Sequence, residues 1–307
     1  MIKEHKSTIL LMIATLIWGT SFVAHRVAME HMSPFTFNGV RFGIAGVLLL
    51  VVVLLIEMGG IRLRKEEASA NNPIHALKNV FQGRTVIAGL ITGSIIFAGS
   101  GLVMWGITVT GSASISSFTI STYVVLVPIA GIIIGKKTTA FAWVGVIIAV
   151  AGLYLISVPA EGFGGLNYGV IILLGAAVCW TVQILVTDRF VTSVKPLHFA
   201  SVQCLIASGL SLIAAFLFED VRISYIVAGA LPILYTSLFG ACIGFTLQML
   251  GQKNVPPTRS AIVFSFETVV AAIAEAVILG DYLDGRGYFG CGLIFIGILV
   301  SQIRLKK

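Results

Sequence analysis

The sequence predicts an all-α polytopic membrane protein of ten transmembrane helices, arranged as two inverted five-helix repeats. Three observations carry that expectation. Apolar stretches long enough to cross a bilayer fill the chain almost end to end, the second five echo the first five, and the basic residues gather on one side. A hydrocarbon core needs about 20 apolar residues in a helix. Only helices or closed barrels satisfy every backbone group in lipid, and stretches of this length mean helices. A mean hydropathy of +1.02, with 57% hydrophobic and 11% charged residues, fits the membrane class and removes most soluble-enzyme functions.

In chain order the expected spans are Ser7–Val27, Pro34–Ile56, Thr85–Gly106, Ser112–Ile134, Thr139–Val158, Asn167–Arg189, Pro196–Phe218, Ser224–Gly251, Pro256–Leu279 and Gly287–Ile303. Little of the 307 residues is left for an extramembrane domain. The long loop 57–84 is polar, carries Arg62, Arg64, Lys65 and Lys78, and reads as a solvated cytoplasmic connector. The first stretch lacks a small-residue cleavage site and is expected to stay as the first helix. Pro128 in the fourth span and Pro232 in the eighth mark expected kinks. Among 33 glycines, the pairs Gly39/Gly43, Gly89/Gly93, Gly131/Gly135 and Gly240/Gly244 have the spacing that lets helices approach closely.

Charge orients the chain. Of the 20 Lys and Arg residues, Arg26, Arg222 and Arg286 fall on one side, Arg41 lies within a span, and all the others fall on the side of the termini. Positive residues mark cytoplasmic loops, so both termini are expected in the cytoplasm and the protein in the cell (inner) membrane. The net charge of +7 is thereby accounted for without a nucleic-acid partner. Cys179, Cys204, Cys242 and Cys291 sit in separate spans, without metal or redox spacing, and no cofactor or metal is implied.

A shift of 162 residues carries Trp18 onto Trp180, Pro34 onto Pro196 and Arg41 onto Gln203. Later the shift becomes 145, and Gly135 falls on Gly280, Trp143 on Tyr288, Gly145 on Gly290 and Gly152 on Gly297. The repeats are therefore residues 1–160 and 161–307. Five crossings return the chain on the opposite side, so the second copy is inverted, a recurring device of secondary transporters.

Three stretches stand out: Ala14-Thr-Leu-Ile-Trp-Gly-Thr-Ser-Phe22, Thr119-Ile-Ser-Thr-Tyr-Val-Val-Leu-Val-Pro128 with Gly135-Lys-Lys137, and Pro257-Thr-Arg-Ser-Ala-Ile-Val-Phe-Ser-Phe-Glu267. In this order they resemble the drug/metabolite transporter superfamily, EamA-type branch. The resemblance covers essentially the whole chain. It implies a ten-helix exporter or exchanger of small metabolites, with a cavity lined mainly by helices 1, 3, 4, 6, 8 and 9. Members move amino acids, nucleosides, vitamins, sugars or drugs, so the substrate does not carry over. Where the family often has Leu-Gly-Glu after the ninth helix, this chain has Leu279-Gly280-Asp281. The small multidrug relatives carry a coupling Glu in the first helix. The first span here has no carboxylate, and that mechanism does not transfer.

Candidate site residues follow from polarity and from the repeat. Trp18, Ser21, Phe22 and His25 share one helix face at i, i+3, i+4, i+7 spacing, and the repeat carries that stripe onto Trp180, Gln183, Ile184 and Thr187. Such faces suit an amphipathic organic substrate, or else helix packing through hydroxyl and amide bonds. Spans three, four and eight add Ser100, Met104, Trp105, Ser117, Tyr123, Phe245 and Gln248, with an interfacial anchor as the alternative for Trp105. Ionisable groups at membrane depth are costly and face a cavity or a partner. Glu267 is a candidate for proton coupling and substrate contact, or for a structural bond at a helix junction. For Arg41 the choices are binding an anionic group such as a substrate carboxylate, pairing with an acidic residue, or snorkelling outward; snorkelling or a fixed ion pair is favoured, since the resemblance keeps the second helix off the cavity. Glu275 is expected to be hydrated near its span end, and His25 to be solvated.

The function these features predict is secondary-active transport by alternating access, with amino acids and related zwitterions favoured over organic cations. The partners expected are a small-molecule substrate and the lipid bilayer. One copy suffices, and a homodimer is compatible. A membrane enzyme acting on lipid-linked substrates would gather acidic, His or Cys residues near one interface, and none is gathered here. A channel would show polar rings along a continuous pore. ATP use would require a phosphate-binding loop the chain lacks.

Overall fold

Long apolar segments can satisfy their backbone in lipid only by coiling, and helices account for nearly all of the described residues. The computed structural model describes residues 2–57, 73–136, 138–157, 168–280, 282, 284–301 and 303, with no strand among them. The first three spans are α1 (Ile2–Met29), α2 (Pro34–Glu57) and α4 (Gly83–Thr110); a short helix α3 (Pro73–Val80) precedes the third. Span four is α5 (Ala113–Ser121) with α6 (Tyr123–Ile133), span five α7 (Ala140–Ser157), span six α8 (Tyr168–Phe190) and span seven α9 (Pro196–Phe218). Span eight comprises α10 (Ile223–Ala228), α11 (Ala230–Tyr235), a π-helical segment (Thr236–Gly244) and α12 (Phe245–Gln252). Spans nine and ten are α13 (Pro257–Phe264) with α14 (Glu267–Leu279), and α15 (Gly285–Ser301). Eight of these spans are long and apolar enough to cross a membrane, and Ala140–Leu155 and Gly285–Ser301 are shorter apolar helices. The protein is a multi-pass membrane protein.

Loop residues 58–72, Lys137, the span ends Val158 and Asn167, Asp281 and the basic residues Arg304, Lys306 and Lys307 lie outside the described residues. The rest of the long loop differs from a plain connector. Its last part coils into α3 so that Val80 can bury against Val53 and Val202, and Asn79 Nδ2 donates to Glu57 Oε2 at 3.2 Å.

Spans four and nine break where no proline or glycine stands. At the first break Thr122 Oγ1 donates to Thr119 O (2.7 Å), and at the second Ser265 Oγ donates to Ile262 O (2.8 Å). Hydroxyls bonded three residues back compete with the helical ladder. The backbone there closes three-residue turns, Thr122 N to Thr119 O and Phe266 N to Val263 O. Pro128 therefore does not set the break; it lies within α6. Pro232 behaves as expected. Its ring displaces the carbonyl four residues back, and the helix breaks at Gly229.

The two halves meet through matched crossings. In α2 and α9, Gly39 faces Leu212, Gly43 faces Ser208 and Gly46 faces Leu205, an antiparallel register. Ser208 Oγ donates to Gly39 O (2.8 Å) and Ser201 Oγ to Gly46 O (3.1 Å). Helices α7 and α15 cross in the same manner. A β-carbon on Gly145 would lie 2.7 Å from Gly297 O, and one on Gly152 would lie 2.5 Å from Gly290 O. Gly131 and Gly135 serve no such crossing. Gly135 takes φ of 79°, a left-handed turn that ends span four, with open space around it. The remaining packing exchanges in pairs, since α1 packs on spans nine and eight while α8 packs on spans four and three.

Gly297→Val is expected to destabilise the protein by about 1–3 kcal/mol through overpacking against α7. Gly292→Val on the same helix, where a β-carbon meets nothing within 4 Å, should leave stability unchanged. Thermal unfolding in detergent reads both, and equal midpoints for the two variants would sink the expectation.

Helix starts at one end of the bundle borrow carboxylates from distant spans. Glu219 at the end of α9 accepts from Phe35 N (2.8 Å), Thr36 N (2.7 Å) and Thr36 Oγ1 (2.8 Å) at the start of α2. Glu275 in α14 accepts from Ala113 N (2.9 Å), Ser114 N (2.8 Å), Ser114 Oγ and Arg26 Nη1 (2.6 Å). Glu275 is buried, contrary to the hydrated position expected, because the first amides of α5 need acceptors that lipid cannot supply. The end that holds the N-terminus carries its own ties: Arg259 with Glu4 (2.8 Å), Lys195 with Glu57 (2.8 Å), and Lys136 with Asp188.

Candidate functional site

Where the paired halves meet, the crossings leave a cavity. The stripe of α1 forms one wall, with Trp18, Ser21, Phe22 and His25 all on the cavity. Opposite it α8 contributes Trp180, Gln183 and Ile184. Thr187, the fourth member of that stripe, does not line the cavity. It is buried one turn on, accepting from Gln183 Nε2 at 3.1 Å. Ser100 and Met104 of α4, and Phe245 and Gln248 of α12, line the cavity as expected. Ser117 does not, because its hydroxyl is turned back to Ser114 O at 3.0 Å inside the packed helix. Trp105 is exposed and off the cavity, as an interfacial anchor would be.

Local structure explains the placement. The π-helical segment widens the backbone of span eight, and Gly240 O accepts from Trp18 Nε1 at 2.9 Å. Gly244 leaves room for the same indole, since a β-carbon there would lie 2.5 Å from Trp18 Nε1. Trp18 also meets Phe245 edge-on at 5.7 Å and Phe264 at 5.3 Å between ring centroids. Across the cavity Gln183 and Gln248 exchange amide bonds of 3.3 and 3.0 Å, which fixes both side chains.

Tyr123 and Glu267 open the second segments of the two broken spans. Tyr123 Oη donates to Glu267 Oε1 at 2.7 Å, and both line the cavity. Ser121 Oγ and Thr268 Oγ1 lie 2.9 Å apart beside them. Three residues earlier on each span, Ile120 and Phe264 also reach the cavity. Sequence reasoning missed them, although the i−3 position relative to Tyr123 and Glu267 was the available signal.

Arg41 overturns an expectation. It lies on the cavity wall, buried, rather than snorkelling or held in an ion pair. Its Nε donates to Asn38 Oδ1 (2.9 Å) and its Nη1 to His25 Nε2 (2.6 Å). The guanidinium carbon stands 4.4 Å from the Phe42 ring centre and 5.0 Å from that of Phe37. No carboxylate among the described residues pairs with it. A charge at membrane depth costs ~2.5–3.5 kcal/mol on insertion scales. Cation–π contacts of ~0.5–2 kcal/mol offset part of that. His25 is correspondingly buried and not solvated, with Phe22 and Phe37 packed edge-on against its ring.

The chain's relatives bear on what such a cavity is for. The profile of the EamA-like transporter family matches residues 5–158 and again residues 167–302. An uncharacterized transporter of Archaeoglobus fulgidus is 27% identical, over 96% of this chain and 85% of that one. The uncharacterized inner membrane transporter YedA of Escherichia coli K12 is 26% identical, over 94% of this chain and 88% of its own length. One solved crystal structure, 18% identical, superposes with a TM-score of 0.74 over 97% of both chains and shares the fold. With the family profile repeated across both halves of the helical bundle, the chain belongs to the EamA-like transporter family.

Proposed function

We propose that this transporter is a secondary-active carrier that exports or exchanges a small metabolite by alternating access, with amino acids and related zwitterions as the favoured class. The observation that carries this is the cavity between the halves, which sets a guanidinium and a carboxyl among aromatic rings. Ligand sites are mostly apolar with a few fixed polar groups, and this one has that composition. Glu267 is the candidate proton-coupling residue. The buried guanidinium on the same wall weighs against simple organic cations as substrate.

Residues 1–160 and 161–307 act as the two inverted repeats. Support comes from the antiparallel crossings of α2 with α9 and α7 with α15, from contacts that exchange between halves, and from the doubled family match. Rocking of one repeat against the other would break the Arg26–Glu275–α5 tie at one end, or the Lys136–Asp188 tie at the other. The basic bias of the loops orients both termini to the cytoplasm, and a relative named for the inner membrane agrees with that location.

Counterflow in proteoliposomes tests the carrier. Labelled amino acids, nucleosides and organic cations are offered to vesicles preloaded with the unlabelled compound. Saturable exchange of one class is expected. Trp18→Ala, which removes two aromatic contacts and the bond to Gly240 O, should slow it by roughly tenfold. Flux that rises linearly with concentration would mean a channel, and flux no greater than in empty vesicles would remove the transport class offered.

A further inference from the structure

The carrier reading leaves the chemistry of the substrate open, and three unpartnered polar groups on the cavity wall narrow it. Arg41 can only donate, so His25 Nε2 accepts its hydrogen bond and the imidazole proton sits on Nδ1. That Nδ1 is buried and has no partner, and neither has the buried hydroxyl of Ser100. Two of the five N–H donors of the Arg41 guanidinium are used, by Asn38 and His25, which leaves three. All three side chains line one cavity. Donors are therefore in excess at this place, beside a buried positive charge that no carboxylate among the described residues meets in a direct ion pair.

Resting on the carrier reading, we propose that Arg41, with His25 Nδ1–H and the Ser100 hydroxyl, forms the subsite for a substrate carboxylate. A guanidinium presents paired donors that match the two oxygens of a carboxylate. Its single charge balances one negative charge; a phosphate ester, at about −1.5 to −2, would bring excess charge into an apolar pocket that also holds Glu267. The subsite is separate from Glu267. The carboxyl of Glu267 is held by Tyr123 Oη at 2.7 Å, whereas its backbone carbonyl lies against Gly19 of α1, six residues or about 9 Å of helix rise before His25. A molecule with a carboxylate at one end and an apolar or cationic body reaching toward Trp18 and Glu267 fits that separation.

The test uses the full-length protein in detergent and three matched compounds: L-phenylalanine, 3-phenylpropionate and L-phenylalaninamide. Trp18 and Trp180 line the cavity, so tryptophan emission reports binding without any requirement for transport. Both carboxylate compounds should bind at least roughly tenfold tighter than the amide, because a site built to bond a polar group rejects the analogue lacking it. Arg41→Gln should erase that preference, and Arg41→Lys, which keeps the charge but not the fork, should retain part of it. Each variant is accepted for comparison when its unliganded emission and thermal unfolding match those of the wild type. The subsite is overturned if the amide binds as well as the acids, if neither acid binds, or if Arg41→Gln keeps the preference. Acid-selective binding without counterflow would leave the subsite standing and sink the carrier instead.

Discussion

Glu275→Ala is expected to lower stability by about 3 kcal/mol. Glu275 is 3% exposed, and its carboxylate accepts from the Ala113 and Ser114 amides, the Ser114 hydroxyl and Arg26 Nη1. Those amides open α5, and the first amides of a helix have no partner within it. Losing such a cap costs ~0.5–2 kcal/mol. Breaking a fully buried pair costs ~3–5 kcal/mol, and the figure here is discounted because the Arg26 side chain is 29% exposed. The contact also ties spans one, four and nine together, so its loss should loosen three elements at once. Thermal unfolding in detergent should show a drop of roughly 5 °C. Glu275→Gln keeps one acceptor oxygen and should lose about half as much. Asp220→Ala, which removes an exposed partner of Arg222, should change nothing measurable. A Glu275→Ala protein that unfolds with the wild type would mean that the α5 amides find other acceptors.

The helices were legible because lipid imposes one rule on every span, and hydropathy reports it directly. The stripe from Trp18 to His25 was legible because helical spacing puts those residues on one face and the repeat predicted its partner at Trp180. Hydropathy carries no phase, however, for a span that is apolar all round. Nothing in the pattern of α2 says that Arg41 turns inward, and the resemblance, which kept the second helix off the cavity, pointed the other way. The breaks at Thr122 and Ser265 were hidden for a different reason. Proline and glycine are the usual signals, whereas here single hydroxyls bend the backbone through bonds to carbonyls three residues back. Glu275 looked like a hydrated span end because its partners lie in spans far away in sequence, and only the folded bundle brings them together.

Glu267→Gln is expected to abolish accumulation driven by a pH gradient while exchange continues. The carboxyl stands at the break of span nine, receives a 2.7 Å hydrogen bond from Tyr123 Oη at the matching break of span four, and faces the cavity. Glutamine preserves the acceptor for Tyr123 and the shape of the junction, and removes only the ability to gain and lose a proton. One coupled proton and a pH difference of one unit support at most about a tenfold concentration ratio. Wild-type protein in proteoliposomes should approach that ratio, and the Glu267→Gln ratio should fall to about one. Tyr123→Phe leaves the carboxyl titratable but loses the bond that positions it, so the rate should fall while the final ratio stays near that of the wild type. The two variants thereby separate chemistry from architecture. If Glu267→Gln still accumulates substrate to the wild-type ratio, the carboxyl serves only to join the two broken spans, and the driving ion acts elsewhere.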